Sequence, residues 1–396
     1  MRKAVEQEES LTCLAISWAA PSSLNNNNPE ASHFYYCGAF MKRSLYIILV
    51  SGILLFLATF FSSCNYYNYL KNIKAMSEQA ESEVQTITIG VFIPGIMSGS
   101  PIYEMLGRGV QAAAEKHNSD IGIEQAVVTV IEGGYNQAEW ENKLTAMTAS
   151  GSYSLIVSSN PSLPDIVSVI SSKFPNQYFM LLDGEMTGNS HVYAFRYNQR
   201  EQAYMSGYIA ALETTAHGGP KRIGLVAAQE YPVMNNIILP GYLEGARAVD
   251  PLYTVDFRIV GNWYDAAKAA ELASGMIRNG VRVIMCIAGG ANEGVVNTAS
   301  QQNAKVVWFD TNGYNIRPGT VIGSAVLYQD LAAYYQILRY LSGTLPFGKT
   351  ETMGVNDGYV DFVENDPYYI DAVPEEIRKK QAEMIAKIRS GELFLP

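Results

Sequence analysis

From about Thr86 onward, apolar positions fall into two alternating rhythms. The β-branched run "TITIGVFIP" (86–94) ends in proline and glycine and reads as a strand followed by a loop. The next stretch, 101–118, sets Ile102, Met105, Leu106, Val110, Ala113 and Ala114 at helical spacing. Strands are expected again at "QAVVTVIEGG", "YSLIVSSNP", "QYFMLLDG" and "HVYAFRYN", with helices at "NQAEWENKLTAMTASG" and "LPDIVSVISSKFP" between them. The first of these helices opens on Asn136 and Glu139, a capping-box pair, and ends at Gly151; the second opens near Pro164. A long helix over "REQAYMSGYIAALETTA" follows, and then the rhythm restarts. Strands "RIGLVAAQE", "YTVDFRIVG", "VRVIMCIAGG", "KVVWFDTNG" and "GTVIGSAVLYQ" alternate with helices "NNIILPGYLEGARAVD", "DAAKAAELASGMIRNG" and "NEGVVNTASQQN".

Strands that alternate with helices predict an α/β fold with parallel sheets, and the restart predicts two Rossmann-like lobes joined by a hinge. The strands are continuous apolar runs, as expected when helices cover both faces of a sheet. A globular part of about 310 residues also exceeds one ordinary core. Residues 86–197 plus part of 320–396 form the expected first lobe, and 198–320 the second. The crossings between them are expected near "RYNQREQ" and near "GTVIGSAVLYQ", and the tail "VPEEIRKKQAEMIAKIRSGELF" as an amphipathic helix on the outside of a lobe.

The region before Thr86 has another pattern. Met41-Lys42-Arg43 is basic, Leu45 to Phe61 is apolar or small, and Ser62-Ser63-Cys64 is a small-residue end. This is the layout of a secretory signal, and the apolar run falls short of the roughly 20 residues that span a bilayer. The small-small-Cys ending resembles a bacterial lipobox, with Phe61 where leucine is usual. Cys64 is then the lipid-anchor candidate, and 41–64 a lipoprotein signal peptide. Residues 1–40 lack a period, carry a four-Asn tract, and read as a leader ahead of a start at Met41. Residues 65–85 read as a tether. The exported part keeps one cysteine, Cys286, in an apolar run, so no disulfide framework is expected.

The formal net charge is −10, and residues 1–64 remove four basic and four acidic residues, so it stays −10 after processing. An acidic body argues against nucleic acid and anionic lipid surfaces as partners. There is no G-x-S-x-G elbow, no phosphate-binding P-loop and no G-x-G-x-x-G after a strand. His33, His117, His191 and His217 have no metal-ligand spacing.

In parallel α/β sheets, ligands lie beyond the carboxyl ends of strands. There, "AGGANEG" (288–294) offers backbone amides to an anion or hydroxyl, or is simply a tight turn. Asp183 and Asp310 each end an apolar strand, and either accept ligand hydroxyls or hold their loops. Trp263 and Tyr103, near two strand mouths, are stacking plates for a planar ligand or packing residues. Two lobes, an aromatic and amide-lined cleft, no catalytic group and an exported tether describe a capture protein rather than an enzyme.

Several ordered segments resemble the basic membrane protein (BMP) family of substrate-binding lipoproteins. "REQAYMSGYIAALETT" is similar to its E-x-A-[FY]-L-x-G-Y-x-A segment, and "GYLEGARAVDP" to G-[FY]-x-x-G-A. "GNWYDAAKAAELASGMIRNGVRVIMCIAGGANEGVV" is similar to G-S-[FW]-x-D-x-x-K…A-G-G-x-G-x-G-V, and "VVWFDTN" to G-x-D-x-D. The resemblance implies a type I periplasmic-binding-protein fold, an ABC permease and ATPase as partners, a monomer anchored by an N-terminal acyl group in the bacterial cell envelope, and hinge closure on the ligand. It implies purine nucleosides as the usual ligand, with Trp263 stacking on the base. Two elements depart from it: "IPGIMSGSPIYEML" replaces the family's D-D-x-S-F-N loop, and Leu327 replaces the lysine of S-x-x-K. These groups help hold ribose and base. A riboflavin-binding branch of the family therefore supplies the first expectation, with Trp263 and Tyr103 as plates and Ser100, Asn160, Asn292, Asp310 and Asp183 as polar contacts. Riboflavin would be transported cargo rather than a cofactor, and purine nucleoside is the alternative.

Overall fold

The computed structural model describes residues 85–396 together with Lys71, Ile73 and Lys74. The leader, the signal-like run with Cys64, and the tether apart from those three residues and residue 85 lie outside the described residues. Among the described residues no helix is long and apolar enough to cross a membrane.

In chain order, β1 (Ile87–Ile93), α1 (Pro101–Ile121), β2 (Ala126–Glu132), α2 (Trp140–Ala149), β3 (Leu155–Ser159), α3 (Leu163–Lys173), β4 (Tyr178–Leu182) and β5 (Val192–Tyr197) build the first lobe. The helix α4 (Gln199–Ala216) leads to the second. There follow β6 (Arg222–Ala227), α5 (Leu239–Val249), β7 (Thr254–Ile259), α6 (Ala266–Arg278), β8 (Val283–Ile287), α7 (Asn292–Gln301), β9 (Lys305–Asp310) and β10 (Val321–Leu327). The chain ends with α8 (Gln329–Leu341), β11 (Thr350–Met353), β12 (Val360–Phe362), α9 (Pro367–Ala372) and α10 (Glu375–Arg389).

The sheet orders are β11-β5-β4-β3-β1-β2 and β12-β10-β9-β8-β6-β7. They match position for position, so the second sheet repeats the first, with β4 equivalent to β9 and β1 to β6. All pairs are parallel except β10 with β12. Central strands are buried end to end, as their unbroken apolar sequence requires: every residue of β3, β8 and β10 is buried. Cys286 lies fully buried within β8.

The chain crosses between the sheets three times, where the sequence suggested two. It leaves the first sheet after β5, returns after β10 through α8, and leaves again between β11 and β12. The second sheet thus keeps β10, and the return falls at Tyr328 rather than at 320. The crossings are tied to one another: Asn198 N donates to Met353 O at 2.8 Å, Val355 N to Glu201 Oε2 at 2.8 Å, and Tyr328 N to Tyr359 O at 3.0 Å. The tail helix α10 buries Ile377, Gln381, Met384, Ile385 and Ile388. It lies on α4, where Gln381 Nε2 donates to Met205 O.

Candidate ligand-binding site

Three non-glycine residues among those described have a left-handed backbone, and two of them close equivalent strands: Asp183 after β4 (φ 57°) and Asp310 at the end of β9 (φ 73°). Aspartate tolerates this conformation better than most side chains, and strained backbone of this kind concentrates at functional sites. Both residues are half-buried. Burial pushes the Asp183 carboxyl well above the usual carboxylate range, and the charge of Asp310 raises it further. Burial pushes Asp310 up to about 6, opposed by a hydrogen bond from Gln202. Among the described residues neither carboxylate is paired with a lysine or arginine. The two belong to different sheets yet act on each other, so the carboxyl ends of the sheets face one another.

Two tyrosines share this field. Burial raises the Tyr197 hydroxyl of β5 and the Tyr231 hydroxyl, and Asp183 and Asp310 add to both effects. Tyr231 precedes a π-helical turn, Met234–Ile238, that runs into α5. Pro240 has no N–H to donate there, which favours the wider turn.

On the first lobe the Tyr103 hydroxyl donates to Pro94 O (3.0 Å) and accepts from Asn160 Nδ2 (3.1 Å). Its ring lies over Gly95, where a Cβ would come within 3.1 Å of Tyr103 Cε2. Asn160 Oδ1 accepts from Ser162 N, so both ends of this amide are engaged. Burial raises the Tyr103 hydroxyl, and the nearby Tyr264 and Asp183 add to that. On the second lobe the Trp263 ring rests against Gly289, which has a left-handed backbone (φ 57°), and Trp263 O accepts from Ala291 N at 3.2 Å. Asn292 is buried at the start of α7, and its Oδ1 accepts from Ala288 N at 2.7 Å. Ser100 precedes α1 and makes no side-chain cap bond.

Of the residues singled out from sequence, Tyr103, Asn160, Asp183 and Asp310 form one connected group. Trp263 and Asn292 share the turn after β8. Ser100 stands apart from both groups. The sequence reading missed Tyr231, Tyr197 and Gln202; it noted Tyr264 beside Trp263 at a strand mouth but not the exposed ring pair that Tyr264 makes with Tyr135. Tyr135 follows β2 and Tyr264 follows β7, so the pair bridges the lobes, edge to face, with centroids 4.9 Å apart and planes at 83°. Beside it a cavity of about 390 Å³ is lined by Gln137, Glu141 and Asp165 of the first lobe and by Tyr231 and Pro232 of the second.

An open groove of about 740 Å³ lies elsewhere, between the end of α1 and α8, with Tyr335, Leu338, Leu341 and Met353 along it. Neither of the strained aspartates is among the residues that line it. We therefore place the candidate site at the strand ends, where polar groups converge. Among the described residues no group of three or more His, Cys, Asp or Glu is set to hold a metal ion.

A family model described as ABC transporter substrate-binding protein PnrA-like (Bmp) matches residues 86–393. An ABC transporter nucleoside-binding protein of Lactococcus lactis is 24% identical over 286 residues, which cover 66% of this chain and 74% of that protein. A purine-binding protein of Brucella abortus is 26% identical over 271 residues, covering 67% and 71%. A solved solute-binding protein of an ABC transporter system from Aeropyrum pernix aligns with a TM-score of 0.63 at 23% identity, over 78% of this chain and 93% of that one. A transcriptional activator of a comK gene from Bacillus halodurans aligns with a TM-score of 0.61 at 19% identity, over 78% and 100%. Those two likenesses show the fold alone, since they join proteins of different roles. The match over residues 86–393 settles the family: the chain belongs to the Bmp, or PnrA-like, family of ABC transporter substrate-binding proteins.

Proposed function

We propose that the chain captures a purine nucleoside between its two lobes and presents it to the permease of an ABC importer, with no catalytic step. The observation that carries the ligand class is the pair Asp183 and Asp310. Two carboxylates without a cation, at facing strand ends, call for a ligand that brings hydrogen-bond donors to both lobes. A nucleoside does so through its sugar hydroxyls and the N–H groups of its base. The tyrosines around the aspartates and Trp263 supply aromatic surface for the base. The nucleoside-binding and purine-binding relatives support the same class.

Riboflavin, first on the sequence reading, also brings a planar ring and hydroxyls. The named relatives favour the nucleoside, so the order of the two is reversed. In this reading Asp183, Asp310, Tyr103 and Trp263 contact the ligand, Asn160 orients Tyr103, and Asn292 shapes the turn beside Trp263. Ser100 is a weaker contact, and Cys64 anchors the chain to the membrane by an acyl group. Calorimetric titration of the purified chain with guanosine, adenosine and inosine tests the ligand class. One-to-one binding of a purine nucleoside is expected; silence with all three, together with saturable quenching of riboflavin fluorescence, would restore the flavin.

A further inference from the structure

Gln202 lies in the first turns of α4, where the first crossing ends, and it is fully buried. Its Nε2 donates to Asp310 Oδ1 at 3.2 Å and to Ala325 O at 3.0 Å. Two acceptors on one nitrogen fix which end of the amide points there. The other end, Oε1, is buried without a partner. A leucine or methionine of similar size would avoid an orphaned oxygen, so the amide is costly unless Nε2 does something that packing alone does not. What Nε2 holds is a carboxylate of the candidate site and a carbonyl of β10, the strand from which the second crossing leaves. The neighbouring residue Glu201 accepts from Val355 N on the third crossing, and Asn198 N donates to Met353 O. A shift of the crossing segments therefore reaches Gln202, and through it Asp310.

We propose that Gln202 is a positioning residue that transmits the state of the hinge to Asp310 and holds that carboxylate ready for the ligand. This rests on the reading of Asp310 as a ligand contact. The groups acting with Asp310 are Asp183 after β4, Tyr197 of β5 and Tyr231 ahead of α5. None of them is a cation, and among the described residues the Gln202 amide is what holds the Asp310 carboxyl down against burial.

The test uses the full chain in detergent, with 13C-labelled aspartate and the Asp310 signal assigned through Asp310→Asn. In the unsubstituted protein the signal is expected to titrate near pH 6. With Gln202→Leu the midpoint is expected to rise by about half a pH unit or more, and the acid-side loss of guanosine binding to move with it. Near neutral pH the melting temperature should fall modestly, because the Asp310 carboxylate and Ala325 O lose their donor, a loss offset in part by removal of the orphaned oxygen and smaller below about pH 4. Gln202→Met serves as a second variant if the leucine form does not fold. A lower melting temperature with an unmoved midpoint would make Gln202 merely structural and overturn the proposal. For the hinge link, Glu201→Gln is expected to move the Asp310 midpoint alone but not in combination with Gln202→Leu; equal shifts in both would contradict it. If guanosine does not bind the unsubstituted protein, the nucleoside reading fails, while the carboxyl titration still decides the role of Gln202.

Discussion

Asp310 carries a charge that the fold does not neutralise. Its carboxyl lies at about 6 in the folded chain against 3.8 in its ordinary state. A raised value favours the protonated form in the fold. The resulting penalty is absent below the unfolded value, grows as pH rises from about 4 to 6, and is constant above that. Asp310→Asn should therefore stabilise the ligand-free protein by roughly 1–3 kcal/mol at pH 7.5 and by almost nothing at pH 3.5, read as the difference between denaturation curves at each pH. The same substitution should weaken guanosine binding at least tenfold. A second residue prediction concerns Tyr103→Phe, which leaves Asn160 Nδ2 and Pro94 O without their partner. It should cost about 1–3 kcal/mol in urea unfolding.

Asp183 and Asp310 were legible in the sequence because a carboxylate ending an apolar strand has no packing reason to be there. Gln202 was not legible: a glutamine within a helix reads as surface until the partner elements are known. For Asn292 the sequence suggested a polar ligand contact; in the structure its amide oxygen closes the turn beside Trp263.

Helices of this fold meet at glycines. A Cβ on Gly207 of α4 would overlap Tyr242 O of α5, and one on Gly245 of α5 would overlap Tyr204 O of α4. The two backbones touch reciprocally, and no side-chain rotation can relieve an added methyl group. Gly207→Ala is expected to destabilise the chain by about 2–4 kcal/mol, measured by chemical denaturation, with an unchanged unfolding slope. The sequence showed "MSGY" and "GYLEGA" as a pattern, while the contact that explains it is tertiary.

The bridge Tyr135–Tyr264 belongs to the same scale, because it joins loops that follow equivalent edge strands. Such ring pairs contribute about 0.5–1.5 kcal/mol beyond area. Tyr135→Ala should therefore speed nucleoside release about two- to tenfold and leave association nearly unchanged, as followed by stopped-flow fluorescence. The strands ahead of both loops were legible in the sequence; that the rings meet depends on how the lobes face each other.

At the scale of the whole molecule, the restart of the strand–helix rhythm is the repeat of one sheet order in two lobes. That much could be read from apolar periodicity, because central strands buried on both faces need unbroken apolar runs. The third crossing could not be read. It lies between β11, "TETM", and β12, "VDF", strands too short and too polar to register as a hydrophobic run. Its position depends on pairing with β5 and β10, which come from distant parts of the chain.

Three tied crossings suit lobes that close on a ligand, and the central claim is that this ligand is a purine nucleoside held between Asp183 and Asp310. The most direct measurement is a calorimetric titration of the purified chain with guanosine, alongside Asp183→Asn and Asp310→Asn. The account predicts one site per chain in the unsubstituted protein and at least a tenfold loss in each variant. Full-strength guanosine binding in both variants, or no nucleoside binding at all by a correctly folded chain, would contradict it.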